Sequence, residues 1–243
     1  MIKVTVFGSG SSGNCYLLDD GQSQLMIEAG LSYKKVAPKM NFDFNRVRAL
    51  LISHEHQDHA KHAKEFAEHS QAVILASKGT LKGMQGKGWN TDFRFLPLAN
   101  RSSVTIGSFT IQAFSVEHDA IEPLGFLITS GKDRLLYVTD SCFVKYKFKN
   151  VTQMMVEMNY SKDVLDEEVE QGVDTAKFLR NRIYSSHFEM QNSLEFIKSN
   201  MSKALQQVIL IHVSSTNADP ELFKSRTQRL TGVPVYLANE LKV

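Results

Sequence analysis

Six consecutive residues, His54-Glu55-His56-Gln57-Asp58-His59, include three imidazoles and a carboxylate that could bind metal ions. The apolar residues 47–53 precede them, and a run this short predicts a buried strand. Because side chains alternate along a strand, His54 and His56 point the same way and could hold one cation. A helical pattern follows, so the chain must turn, and Asp58 and His59 at that turn could hold a second cation. Asp58 could also cap the helix. Such ligands suit zinc, manganese or iron, and two adjacent ions can support hydrolysis.

Three further residues of ligand type, His118, Asp140 and His212, each follow an apolar segment that is predicted to be a strand. Loops at strand ends are where binding and catalytic sites are usually built. A single Asp or His at such a place is more often structural. The prediction of one metal centre therefore depends on all three converging with residues 54–59.

The glycine- and serine-rich loop at residues 8–14 allows two interpretations. Its backbone amides could hold an anion, or it could be only a tight turn between strands. If the loop contacts a substrate, we expect Ser11, Ser12 and Asn14 to do so. His187 is predicted in a loop between two helices, where it could donate a proton or a hydrogen bond to a substrate oxygen.

Other reactive side chains have simpler explanations. His62 and His69 fall on the helix predicted after the histidine run and are expected to face solvent. Residues 145–149 interleave three lysines with two aromatic side chains. This pattern could follow a nucleic-acid backbone, but a solvated surface strand is the preferred interpretation. Cys15 and Cys142 are expected to be small buried apolar residues.

Length and composition exclude several classes of protein. The chain has 243 residues, of which 42% are hydrophobic, enough for a substantial core in one large domain or two small ones. A net charge of +2 gives no strong attraction to nucleic acid, although a metal-centred nuclease does not need one. Two cysteines exclude a disulfide framework and suit a reducing cytoplasm. We expect a cytoplasmic protein without a membrane partner, because neither a signal peptide nor a long apolar run is recognisable. Its oligomeric state is not predicted.

The predicted elements alternate between strands and helices. Strands are predicted at 2–7, 15–18, 25–28, 47–53, 72–76, 93–96, 103–106, 109–116, 124–130, 134–139, 154–158, 207–211 and 234–237, and helices at 33–40, 60–69, 77–83, 162–182 and 191–203. This order indicates two β-rich halves, each carrying helices, around one core.

The ligand-type residues resemble, in order and context, the metal ligands of the metallo-β-lactamase superfamily: His54, His56, Asp58, His59, His118, Asp140 and His212. The resemblance covers nearly the whole chain and implies a single domain, 1–243, of α/β class. Its fold would be a four-layer αβ/βα sandwich, with two mixed β-sheets flanked by helices. It implies that the first two histidines and His118 hold one ion, that Asp58, His59 and His212 hold the other, and that Asp140 bridges them.

Within that superfamily the match is closer to the YycJ-like branch, which resembles DNA exonucleases of bacteria and their phages. The matching features are loop 8–14, residues 28–32, His118-Asp119-Ala120, Glu157 with Asn159, His187, and residues 212–215. The resemblance places Glu28 and Asp119 beside the metal ligands, with Glu28 orienting a ligand histidine.

Three positions depart from the pattern of this branch. Glu28 stands where the family usually has Asp, Tyr160 where the branch often has His, and Phe188-Glu189 where it usually has Leu-Ser. The first departure concerns the geometry of the metal centre, because a longer acid could reposition the site. The other two concern substrate contacts.

The resemblance predicts a dinuclear metal-dependent hydrolase, most directly a phosphodiesterase that acts as a DNA exonuclease. In that mechanism a hydroxide held between two divalent ions, zinc or manganese, with iron also suitable, attacks phosphorus. Asp58 and His187 are the expected catalytic residues, with His187 as phosphate contact or general acid. DNA is the expected partner.

Other functions stay open at this point. The same metal centre could hydrolyse a cytoplasmic thioester or lactone, whereas a secreted antibiotic hydrolase would carry a signal peptide. A non-catalytic binding protein is disfavoured by the complete ligand set. A di-iron redox protein is disfavoured because such relatives tend to have Glu at the position of His56.

Overall fold

Two mixed β-sheets form the centre of the computed structural model, which describes residues 1–170 and 183–243. The first sheet has the order β1-β2-β3-β4-β5-β6, with strands β1 (Lys3–Gly8), β2 (Cys15–Asp19), β3 (Gln24–Ile27), β4 (Val47–Leu51), β5 (Val73–Ala76) and β6 (Phe95–Pro97). The strands from β1 to β3 pair antiparallel, and those from β3 to β6 pair parallel.

The second sheet has the order β13-β12-β11-β10-β9-β8-β7. Its strands are β7 (Ser103–Ile106), β8 (Phe109–Ser115), β9 (Leu124–Ser130), β10 (Asp133–Val138), β11 (Gln153–Glu157), β12 (Gln207–Ile211) and β13 (Val235–Leu237). The strands from β7 to β10 pair antiparallel and those from β10 to β13 parallel.

Helices cover the outer face of each sheet. They are α1 (Tyr33–Val36), α2 (Gln57–Ala60), α3 (Ala63–His69), α4 (Lys78–Gly86), α5 (Lys162–Glu170), α6 (Met190–Asn200) and α7 (Pro220–Thr231), with short 3-10 turns at Ala37–Met40 and Ala238–Leu241. Residues 183–186 are also helical. The remainder of the predicted helix 162–182, residues 171–182, lies outside the described residues.

Three apolar clusters separate the four layers. Leu51 and Phe126 belong to the cluster between the sheets, Leu50 belongs to the one under α1 to α4, and Leu210 belongs to the one under α6 and α7. Successive residues of β4 thus enter different clusters, as the alternation of a strand requires. Both faces of the central parallel strands are covered, which is why their middle residues are apolar on both sides. The predicted four-layer αβ/βα sandwich is confirmed.

The helix predicted at 60–69 is two helices. The amide of His62 donates to the carbonyl of Ala29 at 2.9 Å, so the chain leaves α2 before α3 begins. His62 is half-buried, with Nδ1 2.6 Å from the Glu65 carboxylate, which differs from the expected solvated side chain. His69 is exposed, as expected, and stacks on Tyr33 with ring centroids 4.3 Å apart.

Two further expectations need correction. Residues 145–149 belong to none of the described strands, because Tyr146 and Phe148 pack against Phe114 instead of extending a sheet. Helix α7 was not predicted, although Asp219 caps it through a 3.0 Å bond to the amide of Leu222 and proline follows at its first position. Cys15 is buried as expected, whereas Cys142 is partly exposed.

Within the described ranges, no helix has both the length and the apolar content that a membrane crossing requires.

Asp20, in the turn between β2 and β3, connects the two sheets. Its carboxylate accepts hydrogen bonds from the hydroxyls of Ser108 and Ser130 in the second sheet, and from the amides of Gln22 and Ser23. Partial burial raises the pKa of Asp20, but these hydrogen bonds outweigh it and lower the pKa to about 2. Because the folded pKa is depressed, this stabilisation is complete above about pH 4 and is lost between pH 4 and pH 2.

We predict that Asp20→Ala lowers the free energy of unfolding by about 2 kcal/mol at pH 7, since it removes hydrogen bonds to a charged group. The deficit should shrink as the pH falls toward 2. Urea unfolding at pH 7 and pH 2.5 measures both effects. Asp43→Ala is the control, because the carboxylate of exposed Asp43 accepts a hydrogen bond from the nearby amide of Asn45 within the same loop. A deficit that is absent, or equal at both pH values, contradicts this role.

Candidate metal centre

Parallel strands place the candidate residues at one edge of the molecule. Strands β3 and β4 of the first sheet and β10 to β12 of the second run with their carboxyl ends toward that edge, and such ends are where α/β sheets bind ligands. The loops that follow β4, β8, β10 and β12 carry the ligand-type side chains predicted from the sequence.

The first group of candidate ligands contains His54, His56, His118 and Asp140, whose ligand atoms lie within 4.8 Å of one another. His118 Nε2 is 3.2 Å from His56 Nδ1. Asp140 Oδ2 is 3.8 Å from His54 Nε2 and 3.7 Å from His118 Nε2. Three imidazoles and one carboxylate at these separations can surround one divalent ion.

The second group contains Asp58, His59, Asp140 and His212, also within 4.8 Å. His59 Nε2 lies 3.3 Å from Asp58 Oδ2 and 3.4 Å from Asp140 Oδ2. His212 Nε2 lies 3.2 Å from Asp58 Oδ2. Asp140 belongs to both groups, so the structure brings together all seven predicted residues around one shared carboxylate.

Polar contacts behind the imidazoles fix their orientation. His54 Nδ1 lies 2.9 Å from the Ser53 hydroxyl, and His118 Nδ1 lies 2.7 Å from the carbonyl of Ser186. A carbonyl can only accept, so His118 carries its proton on Nδ1 and turns the lone pair of Nε2 toward the site. Such outer contacts orient metal-binding histidines in proteins generally.

Glu28 faces His59 from inside the protein. It is fully buried, and its Oε1 lies 3.5 Å from His59 Nδ1 and accepts a 3.0 Å hydrogen bond from the Tyr137 hydroxyl. The amide of Ser53 donates to Oε2 at 3.2 Å. The backbone of Glu28 has a φ of 63°, an unfavourable left-handed conformation that these contacts hold in place. The longer acid thus still reaches the histidine that the resemblance assigned to it.

Asn14, at the end of the glycine-rich loop, fixes the chain around Asp58. Its amide donates to the carbonyl of Asp58 at 2.7 Å, and its side chain accepts from the amide of Gly10 at 2.8 Å. A Cβ on the adjoining Gly30 would lie 1.8 Å from the Asp58 carbonyl oxygen, so only glycine fits there. Because Asn14 is completely buried, its expected substrate contact does not fit, and it positions the loop instead.

Hydrogen bonding and charge both indicate that the site fits cations. Among the described residues, the buried His54 Nε2, which lies 3.8 Å from Asp140 Oδ2, has no hydrogen-bond partner. Burial keeps the pKa of His54 well below its usual value, so its imidazole is neutral and ready to bind a metal. Burial also lowers the pKa of His212, but Asp140, Asp58 and Glu157 raise it more, to about 10. The buried carboxylates therefore favour any positive charge placed among them.

Glu157, for which the sequence argument gave no role, lies directly behind the centre. It is fully buried at the end of β11, and its Oε1 is 2.7 Å from His187 Nδ1. Its Oε2 accepts from the amides of Ser141 and Phe188 at 3.0 and 3.1 Å. A polar residue ending an apolar strand is the same signal that identified Asp140, so the sequence contained it. With Asp140 and His212, this pair forms a third set of ligand-type atoms.

A cavity of about 730 Å³ opens beside this centre, between loop 9–12 and residues 212–218, with His187 in its lining. Ser11 and Ser12 are exposed along it. Asp119 is 39% exposed, and its Oδ1 lies 3.3 Å from His118 Nε2. Since this nitrogen faces the site, Asp119 lies beside a candidate ligand, at the solvent-exposed rim of the centre.

Comparison with known proteins gives consistent matches. A family model described as "Beta-lactamase superfamily domain" matches residues 24–213. Exodeoxyribonuclease WalJ of Streptococcus pneumoniae serotype 2 (strain D39 / NCTC 7466) is 26% identical over 235 residues, which cover 90% of this chain and 84% of the relative. Exodeoxyribonuclease YycJ of Bacillus anthracis is 28% identical over 173 residues, 68% of this chain and 65% of the relative.

Two solved structures share the fold. The metallo-beta-lactamase fold protein YhfI from Bacillus subtilis superposes with a TM-score of 0.72 at 17% identity, covering 97% of this chain and 95% of that one. Zn(2+)-bound PqqB from Methylobacterium extorquens gives a TM-score of 0.69 at 14% identity, covering 98% and 97%. The clustered histidines and aspartates of this fold suit metal ions.

We predict that Glu28→Gln lowers the affinity for zinc or manganese about 10- to 100-fold, because the carboxylate that faces His59 loses its charge. Isothermal titration of metal-free protein measures this directly. Glu65→Gln is the matched control, since Glu65 pairs with His62 outside the centre. Circular dichroism must show that both proteins are folded. If Glu28→Gln then binds the metal as tightly as the unsubstituted protein does, Glu28 does not support the metal ligands.

Proposed function

The chain belongs to the beta-lactamase superfamily and is a metal-dependent hydrolase of the metallo-β-lactamase fold, and we propose that it is a dinuclear phosphodiesterase that acts as a DNA exonuclease. The observation that carries the proposal is the pair of ligand groups that share Asp140 beside an open cavity with hydroxyl groups in its lining. The two exodeoxyribonucleases among the curated relatives support DNA as the substrate.

The proposed ligands fall into two sets. His54, His56 and His118 would hold one divalent ion, and Asp58, His59 and His212 would hold the other, and Asp140 belongs to both groups. Zinc or manganese ions, with iron also suited, would supply Lewis acidity at this site when bound, activating water and neutralising charge on a phosphoryl group. Asp58 also lines a cleft together with Ser11 and Ser12, so we assign it a catalytic as well as a binding role.

The lining of the cavity suits a phosphodiester better than an apolar acyl group. Besides Ser11 and Ser12, residues 214–217 contribute hydroxyls and an amide, and Lys242 contributes a positive charge. These groups donate hydrogen bonds to phosphate and sugar oxygens. The same lining also contains aliphatic side chains, among them Ile183, Val213 and Leu237, so the choice of a phosphodiester over a thioester or lactone rests on the hydroxyls, the lysine and the exodeoxyribonuclease relatives.

His187 is the proposed general acid. Glu157 lies 2.7 Å from Nδ1 and fixes the proton there, which turns Nε2 toward the cavity. Burial lowers the pKa of His187, but the charge and hydrogen bond of Glu157 raise it above its usual value. This shift stabilises the imidazolium form, which would donate a proton to the leaving oxygen or a hydrogen bond to the phosphate.

We also propose a cytoplasmic location, as expected from the sequence. Cys15 and Cys142 are free, as thiols of a cytoplasmic protein are. DNA is the proposed macromolecular partner.

We predict that the purified protein degrades end-labelled DNA when manganese or zinc is supplied, and that chelation abolishes the activity. His56→Ala should reduce the rate at least about a hundredfold, because it removes a ligand and not merely a residue that supports one. Gel analysis of single- and double-stranded substrates measures the rate, and the position of the label gives the polarity. His69→Ala is the matched control, since exposed His69 lies outside the centre.

The same assay separates the role of His187. His187→Ala should slow DNA cleavage at least about a hundredfold, yet slow hydrolysis of bis(p-nitrophenyl) phosphate much less, because nitrophenolate leaves without a proton. The phosphodiesterase proposal would be refuted if the protein binds two metal ions but does not cleave DNA. Hydrolysis of a thioester or lactone by the same preparation would then support the carbonyl-directed alternative.

A further inference from the structure

A second groove, of about 400 Å³, lies between the segment that follows Asp140 and the helix that follows His187. One wall is the segment 142–147, and the other is helix α6, which presents Asn192, Glu195 and Ser199. The buried ring of Phe188 forms part of its lining. Since His187 lines the large cavity and Phe188 lines this groove, the two openings are adjacent along the chain.

The groove begins close to the candidate metal centre. Phe143 lies three residues after the shared Asp140, hence within about 11 Å of it along the chain. The amide of Glu117, next to candidate ligand His118, donates to the carbonyl of Phe143 at 3.2 Å, and the amide of Cys142 donates to the carbonyl of Glu117 at 2.9 Å. The groove is therefore fixed to the loops that carry two of the candidate ligands.

The side chain of Phe143 is 58% exposed at the start of the groove. Its backbone is held by hydrogen bonds to Glu117 and to the Ser141 hydroxyl, so the ring is presented from a fixed loop. Single exposed apolar side chains are common on protein surfaces, so it is the position of this ring, on a fixed loop that also carries a candidate ligand, that suggests contact with a substrate. An unpaired nucleobase offers a flat surface that an aromatic side chain can stack on.

Positive charge extends along the same wall. Exposure alternates over residues 145–149, so that Lys145, Lys147 and Lys149 face solvent while Tyr146 and Phe148 pack inward. Residues two apart in an extended segment are about 6.6 Å apart, comparable with phosphates along an extended strand. In the described part of the chain, no salt bridge involves these three lysines, so their charge is available to a ligand.

Packing also keeps the wall in shape. The Tyr146 hydroxyl lies 3.0 Å from Asn100 Oδ1, and its ring lies 5.5 Å from both Lys145 Nζ and the Arg101 guanidinium carbon. The amide of Phe148 donates to Asn200 Oδ1 at 2.7 Å, which ties the segment to the end of α6. Aromatic residues thus anchor the segment and leave its cations outward.

We propose that this groove binds a single-stranded segment of the nucleic acid that is cleaved at the adjacent centre, with a base stacked on Phe143 and phosphates paired with Lys145 and Lys147. Asn192, Glu195 and Ser199 on the opposite wall offer donors and acceptors to base edges. The inference rests on the proposed nuclease function and assigns a path to its substrate. A single strand is required because a base in a duplex cannot turn its face to the ring.

Fluorescence anisotropy with a labelled, cleavage-resistant phosphorothioate strand tests the groove without requiring catalysis. Phe143→Ala should weaken binding about tenfold, because the base no longer has a ring to stack on. The double variant Lys145→Ala/Lys147→Ala should reduce the slope of log Kd against log salt concentration by about 0.7 for each phosphate that is no longer neutralised. Hydrolysis of bis(p-nitrophenyl) phosphate should stay unchanged, because that small ester does not reach the groove.

Matched controls lie at the opposite end of the sheets. Phe42 is 67% exposed in the loop that precedes β4, and Lys132 is exposed in the turn before β10. Phe42→Ala and Lys132→Ala should leave strand binding as in the unsubstituted protein. The groove assignment is overturned if both groove variants bind the strand with a Kd within twofold of that of the unsubstituted protein. It is also overturned if blunt duplex DNA displaces the labelled strand as well as unlabelled single strand does. If the strand binds through the groove but is never cleaved with either metal, the nuclease proposal fails and the binding assignment stands.

Discussion

The burial of negative charge at one edge of the sandwich is the constraint on which the rest of the structure depends. Glu28 and Glu157 are completely buried and Asp140 is 3% exposed, all within one small region. Isolated buried carboxylates are very costly, so this arrangement persists only with positive charge among them. Protonated His59 and His212 can supply that charge in the absence of a cation, and metal ions can supply it by displacing those protons.

The fold holds these groups together at a conformational cost. Glu28 and His212 have φ values of 63° and 50°, which place both residues in the left-handed region directly after a strand. Ser9 stabilises the backbone at His212. Its hydroxyl oxygen accepts hydrogen bonds from the amide of His212 at 2.9 Å and from the Tyr16 hydroxyl at 2.8 Å. Local strain of this kind is characteristic of functional sites. The glycine-rich loop is thus a structural bridge between the sheets as well as a cavity wall.

Much of this architecture was predictable from the sequence, because apolar strands that end in polar ligand-type residues give a strong pattern. The strands follow from that pattern, whereas the layer order and the convergence of Asp140 and His212 with the histidine run came from the resemblance to the metallo-β-lactamase superfamily. Contacts between segments distant in the chain were not predictable. The pairing of Glu157 with His187, the burial of Asn14 and the rim position of Asp119 depend on packing that one sequence does not encode locally. Helix α7 was missed although its capping residues are present.

Asp140 is the residue on which the functional account depends, because it alone belongs to both proposed ligand sets and to the set with Glu157 and His187. Anomalous diffraction from crystals grown with manganese or zinc tests this account most directly. The account predicts two peaks on either side of Asp140, one among His54, His56 and His118 and one among Asp58, His59 and His212. A single peak, or a peak between Glu157 and His187, would contradict it.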